Sequence, residues 1–497
     1  MIVYDMQAAG TSDQTVTGDR LQAEVVVVGG GIVGRTAAFL LRARKRDVLL
    51  LDDGAADDDV PPVGFGHDWV GPASWGNAGH IATEQVRPLA GTSFLLSAPK
   101  RLFVLGGALD LGWRRPGAWL PWAGRMVRAC RDAEAGTRVL SALLSDAMPA
   151  WHRLGLALGM PDMVREDGHL MLWHDPAACR TGMAAWRAAP TGTAGIETLD
   201  GAALREVAAR LACPPAGGLR MTGTGQVADP VLAMRALRRA FLEAGGRVLG
   251  ARVRTLLPSG QDNALALEDG RVVRAGQILL AAGVGTATML RGAGVRMPMV
   301  AERGYHLEWR HGADWPLPPL VFEERSLIVS RFGDRLRASS FVEFDRENAA
   351  PDPRKWRRLE DHVRALGLPV ASGFRRWMGA RPTLPDYLPA IGRSAALPDL
   401  WVAAGHQHLG LTLAPRTAEI LCALMTSPEG HPGAAVPMPA PEVMAAIGPD
   451  RFGRRAMTGA PGWPRAARDE APAPPGDILA SRETFASPVP DESADHA

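Results

Sequence analysis

The chain has 497 residues, enough for two or three domains with an ample core. A formal net charge of +2 leaves no nucleic-acid footprint, and 46% apolar with 22% charged residues is the make-up of an ordinary soluble globular protein. Four scattered cysteines without a CxxC pair support neither a metal site nor a redox disulfide and fit a reducing compartment, and no uncharged apolar run reaches the ~18 residues of a spanning helix.

Residues 1–20 are polar, read as a loose leader and lack the basic and apolar regions of a signal peptide, so a cytoplasmic location is expected. Val25–Val28 then runs as an apolar strand into Gly29-Gly30-Gly31-Ile32-Val33-Gly34, and the small residues Thr36, Ala37 and Ala38 open a helix. Gly29 allows a tight turn, Gly31 lets backbone N–H groups approach a pyrophosphate, and Gly34 lets the helix pack close to the strand. The pyrophosphate sits at the positive end of that helix. Val48–Leu51 is a second strand ending at Asp52, where a carboxylate accepts ribose hydroxyls and argues against NADP. Asp53 is grouped with it.

The segment 54–73, rich in Asp, Gly and Pro, reads as an irregular surface loop. Residues 94–165 are helical in pattern and Trp-rich, and Gly168–Trp173 alternates as a strand. Residues 229–244 read as a helix with Asp229 as N-cap and Pro230 in the first turn. Strand-like runs follow at 247–257, 264–267, 271–274 and 277–282, and more between 300 and 345. Leu400–Ala404 is a buried strand, a helix runs from about Thr412 to Met425, and after about 428 Pro, Ala and charge predict a disordered tail. Strands 277–282 and 400–404 deliver Ala282-Gly283 and Gly405 to the cofactor edge of a parallel sheet. Gly283–Thr288 lacks the third glycine of a second fingerprint, which leaves one dinucleotide, NAD or FAD.

Ser74-Trp75-Gly76-Asn77-Ala78-Gly79-His80, Gly304-Tyr305, Trp377–Asp386 with Leu388–Gly392, and Gly405–Thr412 occur in that order. Together they resemble the D-amino acid dehydrogenases of the D-amino acid oxidase/glycine oxidase flavoprotein superfamily, over residues 24 to 426. The resemblance implies an α/β fold. A Rossmann-type FAD-binding domain is built from 21–93, 229–299 and 377–427. An α+β substrate domain with a largely antiparallel sheet comes from 94–228 and 300–376, and 428–497 is the tail. It implies non-covalent FAD. Ser74, Asn77, Ala78, Gly79 and His80 line the isoalloxazine loop. Gly405, Leu409, Gly410, Leu411 and Thr412 aim a helix end at the flavin, and Val253 meets the adenine. Arg381 grips the substrate carboxylate, since a guanidinium fork matches it bidentately. Tyr305 and His406 complete the catalytic set. No metal is expected. His80, His306, Gln407 and His408 depart from the family pattern and leave the substrate open.

The implied reaction is oxidation of a D-amino acid, cyclic D-imino acids included, by hydride transfer from Cα to flavin N5. The rivals are a glycine, sarcosine or other secondary-amine oxidase, and a non-catalytic FAD-binding protein. The electron acceptor is oxygen, a quinone or another carrier. Arg101–Arg128, with Trp113, Arg114, Arg115, Trp119 and Trp122, has two readings: helices that bury their tryptophans, or a peripheral contact with the inner face of the cell membrane.

Overall fold

The computed structural model describes residues 21–54, 68–91, 101–257, 263–397, 399–426 and 437–453. Strand Gln22–Val28 lies between Val48–Leu51 and Val272–Leu280, parallel to both, with Val25 level with Val48 and Gln277. Arg247–Leu249 extends the sheet beyond Val48–Leu51, and Leu400–Ala404 joins it beside Leu280. Val25 to Val28 and Val48 to Leu51 are all buried, as continuous apolar runs require when both faces of a parallel sheet are covered. Each such side chain contributes roughly 1.5–3 kcal/mol relative to exposure.

The predicted runs 264–267, 271–274 and 277–282 resolve into an antiparallel pair, Asn263–Leu267 with the first half of Val272–Leu280. The same strand pairs parallel with Gln22–Val28 from Arg274 to Leu280 on its other edge, so one long strand serves both patterns. Helix Ile32–Ala43 packs on this sheet beside helix Gly410–Thr426, whose Leu411 carbonyl accepts from Trp151 Nε1 at 3.1 Å. Asp229 caps helix Pro230–Glu243, its Oδ1 accepting from Val231 N at 2.8 Å.

A second, ten-stranded sheet contains Val300–Arg310, paired antiparallel with Arg335–Asp345 on one side and Arg375–Thr383 on the other. Helix Pro353–Ala365 covers one face with Trp356, Leu359 and Val363. The opposite face carries Glu302, Gly304, His306, Trp377, Gly379 and Arg381.

Three sequence expectations need correction. The loop read over 54–73 contains strand Asp68–Val70, which pairs parallel with Arg376–Met378; residues 55–67 lie outside the described set. The helical stretch 94–165 includes helices Leu120–Ala129, Ala133–Leu144 and Ala147–Ala157, but also strands Leu109–Leu111 and Val164–Arg165. The tail read as disordered from 428 is ordered over 437–453. Helix Pro441–Ala446 buries Val443, Ile447 O accepts from Ile391 N at 2.8 Å, and Arg451 pairs with Asp386 at 2.8 Å. Two apolar residues four apart anchor this segment, too few to stand out of a Pro- and Ala-rich stretch. Residues 427–436 and 454–497 lie outside the described set. Among the described residues no helix is long and apolar enough to cross a membrane.

Candidate active site

The glycine turn forms a cradle that side chains would fill. Gly29 takes φ +111°, and a Cβ there would lie 2.5 Å from Ala281 O and 2.7 Å from Ala282 Cα. A Cβ on Gly34 would lie 1.9 Å from Gly29 O, so helix and strand touch only because it is absent. Gly31 is the N-cap of helix Ile32–Ala43, with no side-chain cap and no acid in the first turn. Ile32 N donates to Ser74 Oγ at 3.0 Å. The first-turn amides of Val33 and Gly34 have no helical acceptor, which leaves a positive helix end for an anion. Beyond the cradle, Gly283 takes φ +56° with open space where its Cβ would stand.

Asp52 closes the cradle. Its Oδ2 accepts from Arg35 Nη2 at 3.0 Å, and its Oδ1 accepts from Gly54 N at 3.2 Å. A Cβ on Gly30 would fall 1.7 Å from Oδ2, so Gly30 is required too, a role the fingerprint does not give it. Arg35 was likewise missed. Its Nε donates to Gly30 O at 2.7 Å, tying turn, helix and acid together. Asp53 is set apart from this cluster, paired at the surface with Arg252 at 2.8 Å. Val253 is buried in its strand, opposite Leu267.

The Ser74–His80 loop and the Gly405–Thr412 segment meet. Thr412 Oγ1 accepts from Ala82 N at 3.1 Å and donates to His80 O at 3.4 Å. Asn77 Oδ1 accepts from Gly79 N at 2.8 Å, and Asn77 O accepts from Arg337 Nη1. Gly79 takes φ +76° against Phe332, with half-buried Ala78 before it. His306 Nδ1 donates to Gly76 O at 3.2 Å while its ring stacks on Trp377 at 4.8 Å. Gly405 takes φ +75° against Leu384, and Leu409 is buried beside half-buried Gly410. The His80 ring turns inward, 3.8 Å from Glu84 Oε2. Burial, with His408 adding to it, pulls His80 down to about 4, and burial pushes Glu84 up to about 7.

On the second sheet Arg381 stands opposite Glu302, Gly379 opposite Gly304, and Trp377 opposite His306. The two glycines open the middle of this face. A Cβ on Gly304 would lie 2.4 Å from Arg381 Nη2, and one on Gly379 would lie 2.1 Å from the Trp377 ring. Arg381 Nη1 donates to Glu302 Oε1 at 2.9 Å and to Phe341 O at 3.3 Å. Its Nε and Nη2 have no partner among the described residues. Thr383 Oγ1 donates to Glu302 Oε2 at 3.0 Å, and Thr383 bridges to His406. One strand therefore runs from the Ser74–His80 loop to the Gly405–Thr412 segment, with Arg381 between them.

Two residues expected to be catalytic make their contacts away from Arg381. Tyr305 lies on the other face of the sheet from Arg381, because successive strand residues alternate. Its hydroxyl donates to Glu343 Oε2 at 2.7 Å, under Trp356 of the covering helix. Burial, then Glu343, pushes the phenol up and keeps it neutral. His406 bonds through Nε2 with Thr417 Oγ1 at 3.0 Å, inside helix Gly410–Thr426, and burial pulls it down to about 4. It anchors the helix as a neutral ring. Glu302, Gly304 and Gly379 are the partners that sequence reasoning missed. Their signal is the cross-strand register, which no linear motif carries.

A family model described as FAD dependent oxidoreductase matches residues 24–424. The chain is 30% identical over 403 residues to a D-amino acid dehydrogenase of Paramagnetospirillum magneticum, covering 76% of this chain and 90% of the relative. It is 26% identical over 393 residues to a D-amino-acid oxidase of Bradyrhizobium diazoefficiens, with the same coverage. In fold it is similar to a glycine oxidase from Geobacillus kaustophilus, with TM-score 0.62 and 18% identity over 86% of this chain and 99% of the other. Cradle, acid and uncapped helix end fit the pyrophosphate and ribose of FAD. The chain belongs to the family of FAD-dependent oxidoreductases that holds these D-amino acid oxidases and dehydrogenases.

Proposed function

We propose that this enzyme oxidises D-amino acids, cyclic D-imino acids included, with non-covalently held FAD. The observation that carries the reading is Arg381, whose Nε and Nη2 edge is free while Glu302 fixes its Nη1. That edge takes the α-carboxylate bidentately, and a guanidinium locked from behind presents the substrate in one orientation. The oxidation needs a neutral amine, and desolvation of the bound substrate disfavours its ammonium form. FAD held by the glycine cradle and Asp52 would supply the acceptor for the Cα hydride. The imine from a primary D-amino acid then hydrolyses to a 2-oxo acid and ammonia, whereas a cyclic imino acid keeps its nitrogen in the product. Among the side chains placed at this face none is required as a base at Cα.

The D-configuration is supported by the names of the relatives at 26–30% identity. A glycine or sarcosine substrate is the second reading. It is favoured by 28% identity over 215 residues to a glycine oxidase of Pseudomonas aeruginosa, a match that covers 58% of that relative. We assign the electrons to a quinone or another carrier, reached by a cytoplasmic enzyme at the inner membrane face. The exposed Val104, Leu105, Trp113, Leu120 and Val127 support this. Anaerobic bleaching of the flavin across D- and L-amino acids, glycine, sarcosine and D-proline tests the reading. Bleaching by D-amino acids supports it, and bleaching by glycine and sarcosine alone selects the second.

A further inference from the structure

We propose that His80, Glu84 and His169 bind a divalent first-row transition cation of the zinc class. None of the three side chains is used by the oxidation chemistry. His80 ends the flavin-side loop, Glu84 follows four residues later, and His169 opens strand His169–Trp173. Their ligand atoms all lie within 4.8 Å of one another. His80 Nε2 and Glu84 Oε2 are 3.8 Å apart, with side-chain exposures of 9% and 1%. The His80 and His169 rings meet edge-on at 4.4 Å.

Three buried polar atoms here have no partner: His80 Nε2, Glu84 Oε2, and Oε1 of Gln226, which stands opposite His80 in the strand register. Leaving a buried donor or acceptor unpaired costs about 1–3 kcal/mol. A cation held between His80 Nε2 and Glu84 Oε2 removes the cost of both ligand atoms at once. Two imidazole nitrogens and one carboxylate oxygen form a zinc donor set with an open fourth position. His169 Nδ1 bonds with Thr224 Oγ1 at 3.0 Å, which leaves Nε2 as the nitrogen available to a cation. Metal-ligating histidines are oriented in this way by a partner on the far nitrogen. Tetrahedral zinc with ~2.0–2.1 Å bonds sets its ligand atoms roughly 3.3 Å apart, so the set closes by up to about 1.5 Å on binding. The sequence hides this site because His169 is far from the other two ligands, and no cysteine marks it.

The test uses the FAD-loaded full chain, stripped with chelator, reloaded with Zn²⁺ and dialysed. Metal is read by elemental mass spectrometry and affinity by competition with a chromophoric chelator. About one zinc per chain is expected, with nitrogen and oxygen scatterers in X-ray absorption. Thr224→Val is expected to weaken binding ~10–100-fold, and Glu84→Gln and His169→Gln by more. His152→Gln, which removes an exposed His–Glu pair, is expected to leave the tight site unchanged. Wild-type protein that retains no zinc overturns the proposal, whatever the variants do. Retention at wild-type affinity by Glu84→Gln and His169→Gln also overturns it. Flavin content, measured on each sample, separates ligand loss from misfolding, and the wild-type measurement needs no variant.

Discussion

Arg381 and Glu302 face each other on adjacent antiparallel strands and pair at 2.9 Å, with Glu302 almost fully buried and Arg381 partly exposed. The pair holds the guanidinium by Nη1 and leaves Nε and Nη2 as the edge proposed to take the substrate carboxylate. Glu302→Gln keeps the shape but weakens the lock. It is expected to raise KM for the amino acid while flavin content stays normal. Glu302→Ala leaves a cation with no buried partner, and a loss of about 3–5 kcal/mol in chemical unfolding is expected.

Gly304 tests the same edge sterically. In Gly304→Ala the new Cβ sits 2.4 Å from Arg381 Nη2, so the side chain must shift. A KM increase of at least tenfold with normal FAD absorbance is expected from steady-state kinetics. Unchanged KM would show that the Nη2 edge does not meet substrate.

Gly34→Ala is expected to abolish FAD retention, since its Cβ would stand 1.9 Å from Gly29 O. Flavin per chain after gel filtration is the readout. Acid precipitation of the wild type is expected to release all its FAD, as a non-covalent cofactor requires.

Stability is expected to fall with acid in two windows. His406 is pulled down to about 4 by burial, against an ordinary value of 6.5. Between those values the unfolded chain binds the proton and the folded one does not, so stability is lost as pH falls from 6.5 to 4. Glu308 is the depressed-carboxylate case. Burial alone would raise it, but Arg337 and Arg335, with His306, hold it at about 2. Its contribution is present above about 4.5 and is lost between there and 2, at up to about 1.4 kcal/mol per pH unit. Urea midpoints measured from pH 7 to 3 check both. Arg337→Met is expected to flatten the lower window.

Trp119 and Trp122 point inward, donating to Gly112 O and Thr383 O at 3.3 and 3.1 Å, and Arg115 pairs with Asp345. Any membrane contact of this segment therefore rests on the exposed Val104, Leu105, Trp113, Leu120 and Val127. Flotation with anionic liposomes at low salt is expected for wild type and is expected to be lost when Leu105, Trp113 and Leu120 become serine. Wild-type protein that stays at the bottom of the gradient contradicts the membrane assignment.

The phosphate cradle was legible because each of its parts is local: strand, glycine turn, helix and acid lie within about 30 residues. Gly30 escaped notice because its constraint comes from Asp52, which folding brings back against the turn. The proposed substrate face was half legible. Arg381 stands in a motif, whereas Glu302 and the glycine pair acquire meaning only through register. Tyr305 misled because a Gly-Tyr motif says nothing about which side of the sheet each residue takes. His406 lay in the right segment, but its ring turns toward Thr417, a contact of tertiary packing.

The most direct test of the central claim compares anaerobic flavin bleaching by a D-amino acid with bleaching by the amine that lacks its carboxylate, in wild type and Arg381→Lys. Truncating one member of a buried charged pair costs ~2–5 kcal/mol. The wild type is therefore expected to favour the amino acid by at least ~30-fold in kcat/KM, and Arg381→Lys to lose most of that preference while keeping its FAD. An unchanged preference in Arg381→Lys, or wild-type bleaching by L- but not D-amino acids, would contradict the account.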